Sequence, residues 1–180
     1  TLKPAVDYIA AQVGTVETVS VAQGHIDEWV EIFRHIQGYE VWESYGGWYN
    51  KYHPVLNRGP HERLLWASTI TRRQYLDAYK KREAIIERVD SLVKDGGILI
   101  LPTAASVAPL RTTPLEEISA TRLQSTKLLC VSPLTGTPQL NLPMVEQYNV
   151  PLGLTIIGER GNDLTLANFA ADMVAGYRKD

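Results

Sequence analysis

The stretch Gly96 to Pro109, GGILILPTAASVAP, constrains the fold more than any other part of the chain. Its Ile-Leu-Ile-Leu run is apolar at every position, so it predicts a strand covered on both faces, as in a sheet sandwiched between helices. Pro102 ends the run. The residues from Thr103 to Pro109 are small and uncharged, which suits backbone that passes close to something else, and in open α/β sheets ligands sit beyond the carboxyl ends of strands. The same pattern fits an ordinary strand followed by a tight turn, so both readings stay open on this stretch alone.

The flanking segments predict the α/β class. Ala5, Val6, Ile9, Ala10 and Val13 recur at helical spacing and predict a helix from Pro4 to Val13, closed at Gly14. Val16, Val19 and Val21 then supply β-branched residues for a strand. From His25 onward, Ile26, Trp29, Val30, Phe33 and Ile36 predict an amphipathic helix that reaches past Gly38 toward Val41 and Trp42. Tyr39, Trp42, Tyr45, Trp48, Tyr49 and Tyr52 crowd around Gly46-Gly47, and Pro54, Gly59 and Pro60 punctuate a loop after them. Such a cluster either lines an apolar pocket or closes a corner of the core.

Two further helices are predicted, at 60–70 and 72–93. The second carries Leu76, Tyr79, Ile86, Val89 and Val93 on one stripe and interleaved charges opposite. Asp95-Gly96-Gly97 turns the chain into the strand at Ile98. Thr113-Pro114-Leu115-Glu116 has the pattern of a capping box with proline at the first helical position, which starts a helix running to about Val131. Ser132 to Pro138 reads as a turn, Gln139 to Met144 as a strand closed by Pro143, and Leu152 to Ile157 as another strand after a turn at Tyr148 to Pro151. Asn162 or Asp163 caps a last helix with Leu164, Ala167, Ala171 and Val174 on its apolar stripe, and Asp180 lies just beyond it.

At 180 residues, 44% hydrophobic and 21% charged, the chain is large enough for one domain with a packed core. A net charge of -2 with no basic stripe gives no electrostatic footprint for nucleic acid or an anionic membrane, so neither is expected as a partner. No apolar run approaches the roughly 18 residues that span a bilayer. A single cysteine, Cys130, excludes an internal disulfide, and Thr1 opens no signal-peptide pattern, so the expected compartment is the cytoplasm.

Nucleophilic catalysis needs a Ser, Cys or Thr held against a base, with donors for the oxyanion. Gly-x-Ser-x-Gly is absent, and Ser44 has Gly46-Gly47 on the wrong side for a turn that presents a nucleophile. Cys130 stands among Leu128, Leu129 and Val131 and reads as a small buried hydrophobe. His25, His35, His53 and His61 lack metal-ligand spacing, and no glycine-rich phosphate loop occurs, so neither metal nor cofactor is expected. Glu116-Glu117 has a structural explanation as negative charge at a helix start. The residues by themselves describe an α/β domain with a small-residue loop, an aromatic cluster and no catalytic set.

Three segments add a resemblance. DGGILILPTAASVAP at Asp95 to Pro109, PLTGTPQLNLP at Pro133 to Pro143, and VPLGLTIIGERGNDLTLANFA at Val150 to Ala170 resemble, in order, the C-terminal part of the amidase signature family. The likeness covers most of residues 73 to 177: strand then Pro-Thr then Ala-Pro, a Thr-Gly-x-Pro turn, Pro-x-Gly, and a late Asp opening the final helix. Residues 1–21 are similar to the family's helix and strand before its variable middle region, here 22–71, and 72–180 to its C-terminal segment. The resemblance implies one partial α/β domain, the C-terminal part of a mixed β-sheet sandwiched between α-helices.

Members of that family hydrolyse amides with a Ser nucleophile, a cis-Ser and a Lys in a Gly/Ser-rich region upstream of these segments. None of the three is matched here, so the resemblance implies no catalytic residue in this chain and a partner carrying the N-terminal catalytic half. It implies pocket-wall roles, toward a small-molecule amide, for Pro102, Thr103, Ser106, Ala108, Thr135 and Gly136. Trp42, Tyr45 and Trp48 of the variable region would contact the substrate's side group. A non-catalytic binding or scaffold homologue, or a fragment of an amidotransferase amidase subunit, is the competing expectation, and a homo-oligomer is compatible with either.

Overall fold

A computed structural model describes residues 1–177; Asp180, expected just past the last helix, lies outside them. In chain order the elements are α1 (Lys3–Gln12), α2 (Ile26–Tyr52), α3 (Arg58–Ala67), α4 (Arg72–Val93), β1 (Leu99–Pro102), α5 (Leu115–Leu129), α6 (Val131–Thr135), β2 (Gln139–Gln147), β3 (Val150–Ile157) and α7 (Asp163–Tyr177). The strands form one sheet of order β1-β3-β2, with β3 antiparallel to both neighbours. β2 and β3 are joined by a two-residue turn at Tyr148 and Asn149, both with positive φ, the backbone that matches the twist of a tight hairpin.

The apolar run before Pro102 is covered on both faces, as its pattern predicts. Leu99 and Leu101 pack into a core built by α2, α4 and α6, with Trp29, Ile36, Ile85, Val89, Val93, Leu134 and Ile157. Ile98 and Ile100 point the other way, into a second core with Leu142, Leu154 and Ile156 under α1 and α7. Successive strand residues alternate faces, so one four-residue run serves both cores. Burying each of the large side chains contributes about 1.5–3 kcal/mol, so the sheet is the element that both helical layers depend on. The expected α/β class, with helices on both sides of a sheet, is what the chain adopts.

Several local expectations are corrected. No strand forms at Val16 to Val21; that segment is coil, and Arg88 donates from Nε to the Val21 carbonyl and from its terminal nitrogen to the Ser20 carbonyl. The Ser20 and Val21 carbonyls are thus met by a guanidinium rather than a ladder. The helix expected from His25 toward Val41 and Trp42 runs further, through Gly46-Gly47 to Tyr52, with Gly46 buried against the Trp42 ring. It ends at His53, which takes a left-handed conformation and donates its N–H to Tyr49.

The capping box lies at Thr71 rather than Thr113. Thr71 Oγ1 accepts from the Gln74 N–H, and the Gln74 side chain accepts from the Thr71 N–H, while Pro114 caps α5 with no side-chain bond. The buried stripe of α4 is Ala78, Ile85, Val89 and Val93, with Leu76 and Tyr79 exposed. In α7 the inward residues are Leu166 and Ala170, and Leu164 faces outward. Residues 131–135 coil into the short α6, and β2 passes through Pro143 at a register shift between Leu142 and Val145, where a missing N–H breaks no ladder bond. Among the described residues no helix is long and apolar enough to cross a membrane.

Candidate functional site

Beyond the carboxyl end of β1 the chain opens a cleft of about 580 Å³. Thr103, Asn141 and Thr155 form one wall; Ser132, Pro133, Gly136 and Thr137, from α6 and the turn after it, form the other, with Leu129 and Gln139 between. The sheet places the first group. Asn141 on β2 is directly opposite Thr155 on β3, and Thr103 follows β1, where its N–H donates to the Gly153 carbonyl at 3.1 Å. Thr103 Oγ1 donates to Asn141 Oδ1 at 2.7 Å and lies 2.7 Å from Thr155 Oγ1.

The second wall is held by its own hydroxyls. Thr135 Oγ1 donates to the Val131 carbonyl at 2.9 Å and contacts Thr137 Oγ1 at 2.8 Å, and Thr137 Oγ1 donates to Ser132 Oγ at 3.2 Å. Gly136 takes a left-handed conformation, φ +72, which turns the chain from α6 into β2 and leaves the cleft edge without a side chain. Arg82 of α4 donates from Nε to the Leu134 carbonyl and so fixes α6 on the helical layer below.

No residue of this lining carries a formal charge. Arg160, whose Cδ approaches Gly136, is ion-paired to Asp90. Cys130 lies just behind α6, buried, and burial pushes its thiol up to about 11, so it is a neutral packing group at ordinary pH. Among the described residues no three His, Cys, Asp or Glu side chains gather as a metal site.

Of the residues expected to form a pocket wall, Thr103 and Gly136 stand on the cleft. Thr135 is fully buried immediately behind it, and Pro102 ends β1 opposite Leu154. Ser106 and Ala108 lie in the exposed loop after Thr103, where the Ser106 hydroxyl donates to the Val107 carbonyl and the Ala105 N–H to Ser125. Trp42, Tyr45 and Trp48 ride on the extended C-terminal half of α2 and are not part of the lining; Trp42 is half-buried, Tyr45 and Trp48 exposed. Sequence reasoning missed Asn141 and Thr155. The signal was present, since each is a polar residue flanked by apolar ones in a strand, Leu-Asn-Leu and Leu-Thr-Ile.

A sequence-family model for amidases matches residues 46–167. The chain belongs to the amidase family. Among curated amidase relatives, Amidase 1 of Oryza sativa subsp. japonica is 25% identical over 146 residues, which is 79% of this chain and 33% of that protein. The chloroplastic Outer envelope protein 64 of Arabidopsis thaliana is 24% identical over 140 residues, 77% of this chain and 23% of that one. A crystal structure of an amidase superposes with a TM-score of 0.77 at 21% identity, covering 98% of this chain and 42% of its own. The chain thus spans a third or less of the length of these two curated relatives, and its amidase fold is shared along nearly its whole described length.

Proposed function

We propose that this chain supplies one wall of the substrate cleft of an amidase that hydrolyses a linear carboxylic amide to an acid plus ammonia or an amine. The Ser, cis-Ser and Lys that do the chemistry belong to polypeptide outside these 180 residues. The observation that carries this reading is the cleft itself: it sits at a strand end in an amidase fold, and it is lined by hydroxyls, amides and apolar groups with no ionisable side chain to act as base. A wall of this kind binds and orients; it does not abstract a proton. Trp42, Tyr45 and Trp48 enter the reading as contacts to the substrate's side group, and Ser106 and Ala108 as the rim after Thr103.

Two measurements test it. Ammonia release from small aliphatic and aryl amides is expected only when the chain is combined with the upstream half of an amidase relative; release by the chain alone defeats the assignment. In the combined enzyme, Trp48→Ala is expected to change KM and the order of preferred amides more than kcat, and an equal effect on every amide counts against a side-group contact. A second reading, a non-catalytic binding or scaffold module, has one specific support, because a relative is an envelope protein by name rather than an amidase. No activity with or without the upstream half favours that reading.

A further inference from the structure

We infer that Asn141 is a binding residue, donating from its carboxamide to an uncharged carbonyl oxygen of a neutral amide ligand, and that Thr103 and Thr155 position it. This rests on the amide-cleft reading above and names the group that meets the ligand.

The argument is a count of hydrogens. A hydroxyl has one to give. Thr103 spends its hydrogen on Asn141 Oδ1, so the 2.7 Å contact between Thr103 and Thr155 is made by the Thr155 hydroxyl donating. The chain therefore runs in one direction, from Thr155 to Thr103 to Asn141, and it ends on the amide oxygen. Its origin is fixed, because Thr155 is fully buried in β3. Its end is exposed on the cleft, and among the described residues Asn141 Nδ2 has no protein acceptor. The carboxamide is held by its oxygen and offers two N–H donors to whatever enters.

Gly153 makes this arrangement possible. A methyl group there would overlap Asn141 Oδ1 and lie 2.8 Å from Thr103 Oγ1. Any side chain at 153 would evict the carboxamide from the position in which the two threonines hold it.

The ligand class follows from the charges. The lining holds no cation, and Arg160 at the Gly136 edge is already paired with Asp90. Taking a carboxylate out of water without a cation costs far more than taking a neutral carbonyl, so the site matches a carboxamide rather than an acid. Leu129 and Pro133 supply apolar surface for a short alkyl chain.

The test uses the isotopically labelled full chain combined with the unlabelled upstream half of an amidase relative whose nucleophilic serine is replaced by alanine. It is titrated with butyramide, and with butyrate as its anionic counterpart, and read at the Asn141 side-chain NH2 and the Thr103 and Gly153 amides. Butyramide is expected to shift all three and butyrate to bind at least tenfold more weakly. Asn141→Asp keeps the acceptor for Thr103 and removes both donors, and is expected to weaken butyramide about tenfold. Thr155→Val is expected to weaken it about threefold, with melting behaviour unchanged. Should Asn141→Asp lose its amide dispersion, Gly153→Ala carries the same test, since it displaces the carboxamide without altering it. Shifts confined to Gly136 and Thr137, with the Asn141 NH2 still and Asn141→Asp binding normally, overturn the inference and leave the amide cleft standing. No shift anywhere in the cleft overturns both.

Discussion

Gly46 and Gly47 are neighbours in α2 with opposite surroundings. A methyl at Gly46 would lie 2.7 Å from the Trp42 ring, whereas one at Gly47 would meet nothing within 4 Å. Glycine inside a helix costs roughly 0.5–1 kcal/mol relative to alanine, so Gly47→Ala is expected to raise stability by about that amount in urea unfolding. Gly46→Ala is expected to lower it by about 1–3 kcal/mol, because the ring has to move. A loop at this place would give neither sign. The apolar period from His25 reaches only toward Trp42, and the packing of Trp42 onto Gly46 is what shows a helix surface beyond it. The place of Thr103 on the cleft has a local cause, a small residue just after a strand, whereas Gly136 came from the family resemblance, the segment around it reading as a turn rather than as the end of a short helix. Asn141 and Thr155 take their meaning from each other across β2 and β3, and that pairing is written in register rather than in either segment.

Among the elements, α4 shows how much a local signal decides. Thr71 and Gln74 close a reciprocal cap on it, and Glu28 of α2 reaches its Lys81 at 2.9 Å, a pairing that holds the Glu28 carboxyl below its usual range. Thr71→Ala is expected to cost about 1 kcal/mol, read as a lower unfolding midpoint. Thr113→Ala, in the segment with the look of a capping box but no cap, is expected to leave the midpoint within about 0.5 kcal/mol of the parent. Equal effects would mean that the two helix starts are misassigned. The boundaries of α4 and the end of β1 were readable because each combines an apolar run with a stop residue, and the start of α7 because Asn162 and Asp163 precede its apolar residues. The missing strand at Val16 to Val21 was not, since β-branched residues favour extended backbone without supplying a neighbour to pair with.

At the scale of the whole molecule, a three-stranded sheet separates two cores, and α5 contributes no buried residue to either. β1 and β2 are both outer strands, each hydrogen-bonded on one side to β3. The curated relatives are three or more times as long as the segment they share with this chain. These facts suit the proposed cleft wall completed by further polypeptide. The central claim, that the nucleophile comes from outside the chain, has a direct measurement. The chain is combined with the upstream half of an amidase relative, treated with a serine-directed fluorophosphonate, and the intact mass of each polypeptide is read. The account predicts a single added mass on the upstream polypeptide and none on this one; a stoichiometric adduct on this chain, at Ser106, Ser132 or any other hydroxyl, would contradict it.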